Sequence, residues 1–137
     1  FGTLYARAGA WDDRQVVPGP WVDASTRRHV GVQVRAFPGQ GYGHMWWTRF
    51  GGGFAPGMTA PEGMFFAFGL GAQYVFVLPA HDLVIVHTVD MARATWPDIG
   101  NRRIARLLWL IFSAAGIKDL GTEPSDRDTM QAVIERE

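Results

Sequence analysis

The sequence predicts an α+β domain in which an antiparallel sheet meander packs on a C-terminal helix, and three observations carry that expectation. Three apolar runs, Met64 to Phe68, Gln73 to Leu78 and Leu83 to Val89, follow one another closely. The residues between them, Gly69-Leu70-Gly71-Ala72 and Pro79-Ala80-His81-Asp82, are turn formers, and such short connections join antiparallel neighbours. From Ile99 to Ala115 the apolar residues instead recur at helical spacing.

Taken in order, Phe1, Leu4, Tyr5 and Ala8 share one helical face, which reads as the last turns of a helix ended by Gly9. Pro18-Gly19-Pro20 breaks the chain, and Pro20 to Ser25 reads as a short helix with Trp21 as its anchor. The aromatic stretch Gly41 to Thr48 predicts one strand, and Gly51 to Pro61, rich in Gly and Pro, predicts a surface loop beside it. The second and third apolar runs lack alternation, so both faces of their strands are expected to be covered. The stripe Ile104, Leu107, Leu108, Ile111, Ala114 and Ala115, ending at Gly116, offers cover for one face. Nothing evident covers the other, so further helices are expected upstream of Phe1. Residues 117–137 read as a peripheral polar tail in which Ser125 caps a short helix.

Composition narrows the functional classes. Thirteen Lys+Arg balance thirteen Asp+Glu, so the attraction that nucleic acid or an anionic membrane surface demands is lacking, and neither is an expected partner. No apolar stretch reaches the length of a membrane span. The absence of Cys rules out disulfides, a thiol nucleophile and Cys-ligated zinc, and leaves the compartment open. Lys118 is the single lysine, so amine chemistry within this chain has one candidate.

Catalytic motifs are absent. A Ser and Lys couple needs one helical turn between its members, but Ser25, Ser113 and Ser125 are followed three residues later by Arg28, Gly116 and Asp128. There is no Gly-x-Ser-x-Gly elbow and no phosphate-binding G-x-x-x-x-G-K-[ST] loop. His81, Asp82, His87 and Asp90 are close in sequence, yet their spacing fits no tight ligand motif, and neither metal nor cofactor is expected. Trp46 and Trp47 offer either an aromatic platform or core packing.

Six segments, read in order, resemble the serine beta-lactamase-like hydrolases, the group of class C beta-lactamases, DD-peptidases, related esterases and nylon-oligomer hydrolases. They are Phe1-Gly2-Thr3-Leu4-Tyr5 with Trp11 to Pro18 and Trp21-Val22, then Gly41 to Trp47, then Phe68 to Pro79, then Asp82 to Val86. The resemblance spans about Phe1 to Gly116, and its most specific part is the Gly-x-x-Gly/Ala-Gln turn with the strands on either side. It implies that residues 1–116 are the C-terminal part of such a domain, whose Ser-x-x-Lys and Tyr-x-Asn elements lie upstream.

In that family Ser attacks a carbonyl to form an acyl-enzyme, and two backbone N–H groups hold the oxyanion. The resemblance assigns this chain the edge strand Met64 to Gly69 and the turn after it, with Leu70 N–H as oxyanion donor. Gly69 and Gly71 let substrate approach, Phe68 and Trp46 are possible cleft-lining residues, and no nucleophile or base lies in this chain, which alone is expected to be inert. Where the family carries Lys-[Ser/Thr]-Gly this chain has Ala67-Phe68-Gly69, with no ammonium or hydroxyl for a substrate carboxylate, which favours a neutral ester or amide. The alternatives are a noncatalytic aromatic-rich ligand-binding module and a degenerate homologue retained for protein contacts.

Overall fold

The apolar runs form strands as their pattern predicts, and the order of strands in space is their order in sequence. The computed structural model describes residues 1–34, 37–49, 57–90 and 101–125. In chain order these hold α1 (Gly2–Ala6), β1 (Ala10–Trp11), β2 (Arg14–Gln15), α2 (Gly19–Thr26), β3 (Val30–Val34), β4 (Phe37–Tyr42), β5 (Trp47–Arg49), β6 (Phe65–Gly69), β7 (Gln73–Leu78), β8 (Leu83–His87) and α3 (Asn101–Ala114). β1 and β2 make a two-stranded ribbon, and β3 to β8 make a six-stranded sheet with every pairing antiparallel. The fold is α+β: an antiparallel meander, a small ribbon and a C-terminal helix.

The chain divides into two compact units, residues 1–51 with 62–95, and residues 52–61 with 96–137. In the first, register sorts the side chains of the sheet. Phe65, Val77 and Val84 stand in one row and Ala67, Val75 and Val86 in the next on the same face, while Phe66, Phe76 and Ile85 take the opposite face with Phe68, Tyr74 and His87. α1 lies on the first face, and Tyr5, Val22, Trp46, Phe65 and Val77 close a core there, each at most 7% exposed. Gly2 permits that approach, because a Cβ there would stand 2.6 Å from Val84 Cγ1. On the opposite face Phe66, Phe76 and Tyr74 are buried in a continuous set of ring contacts.

Four expectations need correction. Gly41 to Thr48 is not one strand: β4 ends at Tyr42, the chain turns through residues 43–46 with Met45 at φ +69°, and β5 starts at Trp47. The anchor of α2 is Val22, at 5% exposed, rather than Trp21, at 49%. One face of the sheet carries α1 and Val22, cover within this chain that the expectation did not count. Coverage of both faces holds for β7, whereas Val86 on β8 is exposed. β8 is the last strand of the sheet, so its apolar composition marks an edge and not a buried centre. Residues 51–56 of the predicted loop lie outside the described residues.

In the second unit α3 buries Ile104, Ala105, Leu108 and Phe112, while Leu107 and Leu110 face outward, so the buried stripe runs along the i, i+4 ridge rather than through Leu107. The helix ends with Ile117 N–H donating to Phe112 carbonyl at 3.0 Å and Gly116 N–H to Ser113 carbonyl at 3.0 Å, which is the Schellman pattern. The chain then returns: Thr59 N–H donates to Leu120 carbonyl, Thr122 N–H to Gly57 carbonyl, and Arg106 meets Glu123 at 3.2 Å. Ile117 and Leu120 are buried by this return. The helix expected after Ser125 lies outside the described residues.

Candidate functional site

The turn between β6 and β7 gathers most of the residues singled out from the sequence. β6 is not an edge strand along its whole length, because Phe65 pairs with Thr48 and Phe66 with Trp47 of β5. Beyond Phe66 that pairing stops, and Ala67, Phe68 and Gly69 pair with β7 alone among the described residues. β5 is three residues long, so the strand is interior at its start and an edge at its end.

Gly69 pairs with Gln73, leaving Leu70, Gly71 and Ala72 as a three-residue connection. Gly71 at φ +78° and Ala72 at φ +61° both take the left-handed conformation, which glycine adopts freely and alanine only with support. Leu70 is 77% exposed, and none of the turn's backbone hydrogen bonds among the described residues uses its N–H. Leu70 thus sits in an exposed turn at the end of a strand that is paired on one side only.

Support for Ala72 comes from two side chains that sequence reasoning left without a role. The backbone pairing of β7 with β8 ends at Tyr74 and His87, and the side chain of Gln73 continues it. Its amide donates to Val89 carbonyl at 2.9 Å and accepts from Val89 N–H at 3.1 Å, doing what a peptide group would do. His87 Nδ1–H donates to Ala72 carbonyl at 2.8 Å, and since a carbonyl only accepts, the proton is on Nδ1. Gln73 stood in the turn motif and His87 in an apolar run, but partners 15 and 16 residues away leave no local signal.

Phe68 is exposed and stacks on Tyr74 with ring centroids 4.8 Å apart. Burial pushes the Tyr74 phenol up from 10.0 to about 12, so it holds its proton at neutral pH and cannot serve as a base there. Beside the turn a shallow groove of about 350 Å³ runs over Ala67, Gly69, Val75 and Val86, bordered by Gln73 and His87. Among the described residues its lining holds no Lys or Arg, and its polar side chains are Gln73, Tyr74, His87 and Thr88.

Trp46 is not at this turn. It is 2% exposed, buried in the core with its ring 4.8 Å from Tyr5, 4.9 Å from Phe65 and 5.8 Å from Phe1. Trp47 stands on the other face of the sheet, against Tyr42 and Phe66. A surface stack absent from the sequence reading joins Trp21 to His44 at 5.4 Å and His44 to His29 at 4.3 Å. Among the described residues no three His, Asp or Glu side chains gather as metal ligands, and no helix is long and apolar enough to cross a membrane.

No protein-family model matches the chain, and no curated protein matches it.

Proposed function

We propose that this chain is the C-terminal portion of a beta-lactamase-like serine hydrolase that cleaves a neutral ester or amide through an acyl-enzyme. The observation that carries the reading is the release of β6 from β5 after Phe66, which leaves Ala67 to Gly69 and the exposed Leu70 N–H accessible along one side. In the reaction, an upstream Ser Oγ bonds to the substrate carbonyl carbon as its proton passes to the Lys and Tyr pair. The Leu70 N–H and the N–H of that Ser receive the oxyanion, the leaving group departs with the proton, and water then releases the acid. Ala67-Phe68-Gly69 and a groove with no Lys or Arg among its described lining residues suit a substrate that carries no carboxylate. The nucleophile and base are not in this chain, and alone it turns nothing over.

Sequencing the open reading frame upstream of the Phe1 codon tests this. Ser-x-x-Lys followed in frame by Tyr-x-Asn, with ester or amide hydrolysis by the full-length product, supports the reading. An initiator Met close upstream with neither motif between overturns it.

A further inference from the structure

Resting on that hydrolase reading, we propose that Gln73 and His87 are positioning residues that hold the Leu70 N–H in the orientation the oxyanion requires. The turn that carries this donor contains two consecutive left-handed residues, one of them an alanine, so its own backbone preferences do not define it. Beyond Tyr74 the backbone of β7 turns out of reach of β8, and only the side-chain amide of Gln73 spans to Val89, through one donated and one accepted bond. The same turn frees the Ala72 carbonyl, and His87 satisfies it from the neighbouring strand. Gln73 therefore fixes the chain directly after the turn, and His87 fixes its last residue, two positions from Leu70. Neither side chain touches the carbonyl being attacked; each acts through the backbone. Catalysis by a preorganised donor depends on its being rigid before the charge develops, and a displacement of about 1 Å lowers rate on the order of a hundredfold.

The test compares Gln73→Leu, His87→Phe and His87→Asn, the last keeping an N–H donor near the place of Nδ1–H. In this chain, ¹⁵N relaxation is expected to show order parameters at Leu70 and Gly71 falling from about 0.85 to below about 0.6 in the first two variants while Val77 is unchanged. In the full-length enzyme, kcat is expected to fall about tenfold or more with KM nearly constant, and His87→Asn to recover most of both losses. Since His87 is half-buried on the last strand, His87→Phe decides the matter if Gln73→Leu does not fold. Order parameters at Leu70 that match the wild type, a kcat that does not move, or equal loss in His87→Asn and His87→Phe each overturn the proposal. A wild-type full-length protein that turns over no ester or amide, with its turn rigid, refutes the hydrolase reading itself, a result the relaxation data distinguish from a failed clamp.

Discussion

Replacing Trp46 separates a core residue from a ligand platform, the two roles the sequence leaves open. At 2% exposure it packs edge-on to Phe65 with ring planes at 80° and tilted against Tyr5 at 52°. Trp46→Ala removes the largest side chain of that cluster, at about 3–5 kcal/mol for a large-to-small core change. Loss of two favourable ring pairs, about 0.5–1.5 kcal/mol each, overlaps with this in part, for a total of roughly 4–6 kcal/mol. Set against a native stability of about 5–15 kcal/mol, this removes from roughly a quarter of it to all of it. Trp46→Phe keeps one ring and most of the contacts, and is expected to cost roughly 1–3 kcal/mol. Urea denaturation followed by far-ultraviolet circular dichroism reads the difference without relying on Trp emission. With a slope of about 1–3 kcal/mol per molar, the midpoint of Trp46→Ala falls by at least about 1.5 M. A midpoint within about 0.3 M of the wild type, with native dichroism, refutes the core assignment and returns Trp46 to the platform reading.

Three further outcomes are expected. Val22→Ala destabilises more than Trp21→Ala although it removes fewer atoms, since Val22 is 5% exposed and Trp21 49%; equal or reversed midpoints in urea contradict the packing of α2. Gly2→Ala costs about 1–3 kcal/mol by overpacking, because its Cβ meets Val84 Cγ1 at 2.6 Å and Val75 Cγ1 at 3.0 Å, and a thermal midpoint equal to the wild type argues against α1 lying on that face. Tyr74 keeps its proton to about 12 when folded but loses it near 10.0 when unfolded, so the unfolded chain binds fewer protons between those values and stability declines as pH rises through them. The 295 nm absorbance difference between wild type and Tyr74→Phe is expected to rise near pH 12, and a rise near 10 shows that the phenol is not buried.

The meander was legible because its signals are local: apolar runs of strand length, and Gly or Pro between them. The β4–β5 turn was not, since Met45 takes a left-handed conformation that its side chain does not advertise, and four aromatic residues around it read as one strand. Trp21 looked like an anchor by size, while position on the helix favours Val22, which shares its buried cluster with Tyr5, Trp46, Phe65 and Val77 from distant parts of the chain. At the candidate site, Phe68 to Gly71 were found through the resemblance, and their adjacency is trivial once the hairpin forms. The dual character of β6 depends on where β5 stops, and the support from Gln73 and His87 depends on register across β7 and β8, neither of which composition encodes.

The connections within the sheet are very uneven. Two to four residues join β3 to β4, β4 to β5, β6 to β7 and β7 to β8, whereas residues 50–64 separate β5 from β6. Kinetically the sheet is two triple-stranded ribbons, β3–β5 and β6–β8, welded among the described residues by a seam of two residue pairs, Thr48 with Phe65 and Trp47 with Phe66. Each ribbon closes by short local hairpins, while closing the seam carries about 1 kcal/mol of additional loop entropy. Docking of the ribbons is then the step that limits folding, so substitutions at Thr48 or Phe65 slow folding, and those in the outer hairpins chiefly hasten unfolding. The shortness of the seam that leaves Ala67 to Gly69 without a partner in β5 is also what makes this joint the last to form.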